Sequence, residues 1–252
     1  MTVGPRDVLT GGVACGWCSL PEPMVGEALV RAGFPAVLVD MQHGMADLAA
    51  AFSLIAAIQR SGGHAIVRIP VGDNATASRL LDAGAAAIVA PMIESVEDAA
   101  AFASFVKYPP LGNRSWGPSR ALQLSGEGAE SYRTGANGTT LAIAMIETAR
   151  ALEAIGDILA LPGIDGVFVG PSDLSIALSD GAAMDIDSPA NLAAFDRIVA
   201  ATRAAGKIAG IYGASPAHVR RYRAIGFDFV TLMSDTGLLA AGAAAALAES
   251  RG

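Results

Sequence analysis

The chain alternates between short, unbroken apolar runs and longer stretches in which apolar residues recur every three or four positions. Unbroken runs suit strands covered on both faces. The three-to-four spacing suits helices with one buried stripe. Strands are predicted at Val13–Ser19, Ala36–Asp40, Ala65–Ile69, Ala86–Ala90, Leu141–Ile146, Asp165–Val169, Ile208–Tyr212 and Phe227–Leu232. Helices are predicted from Pro21-Glu22-Pro23 to about Ala32, then at Asp47–Arg60, Asn74–Ala83 and Ser95–Val106. A further helix carries Leu152, Ile155, Ile158, Leu159 and Leu161, and others follow at Ala190–Ala205, Pro216–Ile225 and Thr236–Ser250. Gly33, Gly62-Gly63, Gly84 and Pro162-Gly163 punctuate the series, as helix-ending residues do.

Three segments fall outside the rhythm. Met1–Gly12 reads as a short polar lead, and a short helix, Asp173–Leu178, precedes a polar loop, Ser179–Pro189. Tyr108–Gly138, with YPPLGNRSWGPSRA and a Gly-rich polar tail, reads as a long loop insertion of the kind that is functional or mobile. Eight strand–helix units in 252 residues predict a single-domain α/β fold over residues 1–252, a closed (β/α)8 barrel. A doubly wound open sheet is the alternative, but no glycine-rich dinucleotide fingerprint follows any strand.

Composition narrows the function. Hydrophobic residues make up 52% of the chain, enough for a large core, and the formal net charge is -7 with no basic stripe, which argues against nucleic acid. No apolar run approaches the length of a membrane span, and the opening MTVGPRDVLTGG lacks the apolar run of a secretory leader. The expected compartment is therefore the cytoplasm. Cys15 and Cys18 form a C-x-x-C pair, but in a strand residues three apart face opposite sides, so a redox pair is not expected. No further cysteine exists to complete a thiolate zinc site.

Barrel enzymes build their sites at the carboxyl ends of the strands. There the chain delivers Asp40, Gln42 and His43 after strand two, and Arg68 from strand three. Strand four ends near Glu94, strand five delivers Glu147, and strand six runs into Gly170, Pro171, Ser172 and Asp173. Strands seven and eight add Tyr212, Ser234 and Asp235. Glu147 and Asp173 end adjacent parallel strands on one edge, which suits a hard divalent cation. The same two acids also suit capping of the helices that follow them. His64 lies at the amino end of strand three and His218 inside a helix, so both read as structural. The only lysines, Lys107 and Lys207, fall on the amino side, where neither can serve as a Schiff-base amine. Carbanion chemistry here would need a metal as its electron sink.

The segments VDMQHG, IVRIP, LLDAGA, YPPLGNRSWGP, AMIET and GIDGVFVGPSDLS, in this order and spacing, resemble the HpcH/HpaI family of metal-dependent pyruvate aldolases over nearly the whole chain. The resemblance implies a (β/α)8 barrel with a divalent ion (Mg2+, Mn2+ or Co2+). It also implies reversible cleavage of 4-hydroxy-2-oxo acids to an aldehyde and pyruvate or a close 2-oxo acid such as hydroxypyruvate. Carried over by residue, Glu147 and Asp173 would be the metal ligands. Arg68 would hold the donor's keto oxygen, His43 would be the acid/base directly or through water, and Asp40 would support the site. Asp82 would orient His43, within the chain or across a subunit boundary. Backbone around Gly170, Pro171, Ser172 and Asp173 would take the donor carboxylate. Two positions depart from the family pattern: Met145 stands where many members have Gln, and Gln42 where Glu is common.

Two other readings are carried forward. A citrate-lyase or malyl-CoA type of lyase would need a basic groove for CoA phosphates, for which the insertion offers Arg114, Arg120 and Arg133. A non-catalytic barrel would bind a 2-oxo acid without turning it over. The final helix, LLAAGAAAALAES, predicts a homo-oligomer, because so many small apolar residues are rarely left in water. The resemblance implies a trimer or hexamer.

Overall fold

A computed structural model describes residues 3–251. The elements run α1 (Pro5–Leu9), β1 (Val13–Cys18), α2 (Pro23–Arg31), β2 (Ala36–Asp40), α3 (Leu48–Arg60), β3 (His64–Arg68), α4 (Asn74–Asp82), β4 (Ala87–Ala90) and α5 (Val96–Val106). They continue with α6 (Ser119–Ser125), α7 (Ala129–Thr139), β5 (Leu141–Ile146), α8 (Ala149–Glu153), α9 (Ile155–Ala160), β6 (Gly166–Val169) and α10 (Pro171–Leu178). The chain ends with α11 (Pro189–Ala204), β7 (Ile208–Gly213), α12 (Pro216–Ile225), β8 (Phe229–Leu232) and α13 (Asp235–Ser250). The eight strands pair in parallel in chain order, and β8 closes on β1. The fold is the (β/α)8 barrel that the apolar runs predict.

Strand parity decides what faces inward. Along β2, Ala36 and Leu38 join the barrel interior, while Val37 and Val39 pack outward under the helices. Cys15 and Trp17 point in, whereas Cys18 points out. The interior is a filled stack of side chains. Gly210 leaves room for the Phe229 and Phe168 rings, the nearer Phe168 atom lying 2.8 Å from where a Cβ would be. Continuing the same parity by two residues puts Asp40 and Arg68 on the inner face at the carboxyl rim. There the register sets them side by side.

The amino end is closed by a charged clasp. Leu9 of α1 is buried against the interior stack, and Arg6 reaches Asp165 at the foot of β6. Lys107 lies 2.6 Å from the other Asp165 oxygen and donates to the carbonyls of Thr140 and Asn137. Burial pushes the Lys107 ammonium below its ordinary range while Asp165 pulls it up. Both lysines sit at this end, Lys207 donating to the Leu161 carbonyl.

Several expectations are corrected. The polar lead contains α1, which starts at Pro5 behind an extended Gly4. The insertion at 108–138 is not a loop: it folds into α6 and α7, whose Ala121, Tyr132 and Ala136 form a small core with Tyr108. The helix after β5 is interrupted at Ala154 and becomes α8 and α9. The helix after β6 starts at Pro171, two residues earlier than predicted. No helix among the described residues is long and apolar enough to cross a membrane.

Candidate active site

A cavity of about 310 Å³ opens at the carboxyl rim, within the range that small-molecule sites occupy. Its floor is apolar: Trp17, Met145 and Phe168 supply the last inward layer of β1, β5 and β6. Arg68 lies over this floor, its guanidinium carbon 4.7 Å from the Trp17 ring centroid. Asp40 holds that guanidinium in a two-pronged ion pair, Nε to Oδ1 at 2.9 Å and Nη2 to Oδ2 at 2.8 Å. Such forks fix direction as well as charge. They leave the Arg68 Nη1 without a protein partner among the described residues. Asp40 Oδ1 also accepts from the backbone N–H of Gln42 and of His43. One buried acid thus fixes both the arginine and the turn that carries the exposed His43, which also lines the cavity.

Neither Glu147 nor Asp173 is a helix cap. Thr148 caps α8 through its own side chain, and α10 has Gly170 at its N-cap with no side-chain bond. Glu147 is buried, with Oε1 accepting from the Met92 N–H at 2.7 Å. Met92 reaches it from a left-handed backbone conformation, φ 53°, that few non-glycine residues adopt. The other oxygen fills the space beside Gly170, where a Cβ would sit 2.6 Å from Oε2. Burial pushes the Glu147 carboxyl above its ordinary range; the Met92 amide and Arg68 pull it down, and the Asp173 charge pushes it up. Two acids that repel each other in a partly dry rim form a donor set suited to a cation. Among the described residues there is no group of three or more His, Cys, Asp or Glu able to hold a metal. A hard ion here would take two carboxylates and complete its shell with water and substrate oxygens, the usual habit of Mg2+. As first-turn residues of α10, Ser172 and Asp173 also present N–H groups with no intrahelical partner. The donor set, with Glu147 Oε2 seated beside Gly170, therefore fits the implied ion.

With this geometry in place, comparison with known proteins is decisive. The family model described as HpcH/HpaI aldolase/citrate lyase matches residues 15–241. The chain belongs to that family. It is 39% identical to a hydroxypyruvate/pyruvate aldolase of Rhizorhabdus wittichii, over 94% of this chain and 93% of the relative. It is 34% identical to a 4-hydroxy-2-oxo-heptane-1,7-dioate aldolase of Salmonella arizonae, over 92% of this chain and 88% of that protein. The crystal structure of an HpcH/HpaI aldolase/citrate lyase family protein from Burkholderia cenocepacia superposes with a TM-score of 0.87 at 30% identity, covering 98% of each chain.

Within this HpcH/HpaI chain, the rim gathers Asp40, His43, Arg68, Gly170, Pro171, Ser172 and Asp173 around one cavity, with Glu147 directly behind Gly170. Gln42 is half-buried in the same turn but does not line the cavity. Asp82 lies elsewhere: it accepts from Arg114 at 2.6 Å and lines a separate surface cavity with Phe52 and Arg79. Within one chain it does not meet His43 at the rim. Glu94 pairs with Arg150 outside the cavity. Asp235 turns away to accept the N–H groups of Ser19 and Leu20. Both thiols are buried: burial pushes Cys15 up to about 12, and Cys18 is also raised, by burial and then by Asp235. Sequence reasoning missed Trp17 and Phe168 as floor and Met92 as the Glu147 donor. The inward parity of β1 could have found Trp17; nothing in the sequence announces the Met92 conformation.

Proposed function

We infer that this protein is a divalent-metal-dependent aldolase, which reversibly cleaves 4-hydroxy-2-oxo acids to an aldehyde and pyruvate or a close 2-oxo acid. The observation that carries this reading is Glu147 Oε2 lying against Gly170, at the head of the helix whose first turn carries Asp173, on the same rim as an arginine locked by Asp40. The names of the two curated relatives point the same way. Glu147 and Asp173 would hold the ion. When bound, it supplies a Lewis acid that polarises the 2-oxo carbonyl and takes up charge as the carbon–carbon bond parts. The chain's own residues do the rest. Arg68 offers its unspent Nη1 to the oxygen on which negative charge grows, and the Asp40 fork keeps it there without reorganisation. The free N–H groups of Ser172 and Asp173 receive the donor carboxylate at the start of α10. Met145 gives the donor an apolar neighbour on the floor. His43, standing at the rim on the Asp40-pinned turn, moves the proton of the 4-hydroxyl, directly or through water.

The CoA-thioester alternative gains no support from the insertion. Arg114 is buried on Asp82, Arg120 donates to Gln59 and to the Ala83 carbonyl, and Arg133 pairs with Glu130. Only Arg133, in an exposed surface pair, can turn to a phosphate, and one surface cation is not a basic groove. Self-association belongs to the same proposal. Every residue of α13 beyond Leu238 is exposed, although this part of the helix is mostly Ala and Leu, with Leu239 at 69% and Leu247 at 55%. A second copy of the chain is the natural cover, in a trimer or hexamer.

The test is pyruvate release from 4-hydroxy-2-oxo acids by protein dialysed against chelator and then resupplied with Mg2+, Mn2+ or Co2+. Turnover that returns with the ion supports the reading. Full turnover in excess chelator would sink it.

A further inference from the structure

Tyr212 stands on β7, across the barrel mouth from Arg68 on β3. Its ring is held edge-on against Trp17, with centroids 5.0 Å apart and planes at 78°. Arg68 lies over the same indole, so one side chain orients both groups. The Tyr212 hydroxyl makes no hydrogen bond among the described residues. Unlike the hydroxyls of Tyr108 and Tyr222, it is not sealed in the interior. Tyr212 is half-buried and lines the cavity. Burial pushes its phenol above the ordinary range, with Arg68 pulling it down and Asp40 pushing it up, so at neutral pH it is an O–H donor. Other cavity hydroxyls are differently placed. Ser234 is spent on the Gly237 N–H and on Thr236. Ser19 and Ser172 rotate freely on short side chains, whereas the Tyr212 oxygen is positioned by its ring.

We propose that the Tyr212 hydroxyl is a specificity-determining donor, selecting substrates that carry a hydroxyl group beside the bond being made or broken. That hydroxyl belongs either to C3 of the 2-oxo acid donor or to C2 of the aldehyde. The proposal rests on the aldolase reading above. Its physical basis is the floor of Trp17, Phe168 and Met145. A methyl or alkyl group meets this surface without loss, but a hydroxyl brought there surrenders its water and needs a fixed partner. Tyr212 supplies that partner. A substrate lacking the hydroxyl instead leaves the phenol unpaired in a partly dry site, and such sites discriminate most strongly in this direction.

The experiment compares wild-type protein with Tyr212→Phe, which keeps the ring against Trp17 and deletes only the oxygen. In the donor arm, pyruvate and hydroxypyruvate are titrated calorimetrically with divalent ion present. In the aldehyde arm, kcat/KM is measured for glycolaldehyde and acetaldehyde with pyruvate as donor. The expected result is a preference for the hydroxylated member that falls about fivefold in Tyr212→Phe, the factor of one neutral hydrogen bond. The arm in which it falls identifies the source of the hydroxyl. Preferences equal in the two proteins in both arms overturn the proposal, and so does a uniform loss on every substrate. Wild-type protein that neither binds a 2-oxo acid nor joins one to any aldehyde defeats the aldolase reading itself, and this inference with it.

Discussion

Asp40→Ala tests the arrangement at the rim most directly. In the native chain the Arg68 and Asp40 side chains are 8% and 3% exposed, so this is a buried ion pair. Removing one partner of such a pair costs about 3–5 kcal/mol, because the other charge is left unpaired, against ~0–1 kcal/mol for a surface pair. The N–H groups of Gln42 and His43 lose their shared acceptor as well, adding about 1 kcal/mol. The expected destabilisation is therefore about 4 kcal/mol or more, read as a lowered urea midpoint with unchanged slope. Asp40→Asn keeps the size and one acceptor oxygen, so it should fold and report on chemistry instead. Without the fork Arg68 drifts, and a displacement of about 1 Å is worth about a hundredfold in turnover. Pyruvate release by Asp40→Asn should fall by that factor. Pairing Asp40→Ala with Arg68→Ala should cost less than the sum of the singles by about 2–3 kcal/mol, since no charge is then stranded. A wild-type urea midpoint for Asp40→Ala, or strictly additive singles, would refute the argument.

Other perturbations follow from the same geometry. Gly170→Ala keeps an allowed backbone (φ -90°, ψ 93°) but puts a methyl 2.6 Å from Glu147 Oε2. Divalent-ion affinity by calorimetry should weaken at least about tenfold, with a folding cost of about 1–3 kcal/mol; wild-type affinity would count against the assigned ligand. His64, whose Nε2 lies 3.0 Å from the Val3 carbonyl, is held below its ordinary value of 6.5 mainly by burial. Because the folded form binds the proton less well, stability should fall as pH drops below 6.5. His64→Gln should flatten that part of a pH series of urea midpoints. Light scattering at micromolar concentration should give a mass well above the 25.4 kDa of one chain, and Leu239→Lys with Leu247→Lys should shift it toward the monomer. A wild-type monomer would remove the oligomer from the proposal.

The barrel was legible because its strands are buried on both faces and therefore appear as unbroken apolar runs between punctuating glycines and prolines. The rim acids and Arg68 were legible because the carboxyl end of each strand is a fixed address. What failed to show was structure made by partners distant in sequence. The AESYRTGANGT segment has poor intrinsic helix preference, yet α7 forms because Tyr132 and Ala136 pack on Tyr108 and because Lys107 and the Tyr108 backbone bond to Asn137. The location of Asp82 likewise depends on Arg114, 32 positions away. Met92 gives no sign of its role, since its amide is turned toward Glu147 by a backbone conformation that side-chain chemistry does not encode.

The grip of Arg6 and Lys107 on Asp165 divides labour along the barrel axis. This clasp takes no part in the chemistry at the opposite pole, so rim residues outside the Asp40–Arg68 pair can change without loosening it. Directed libraries at Tyr212 and Met145 can use that freedom to redirect substrate choice. A fusion joined ahead of α1 presses on the pole that keeps the staves together.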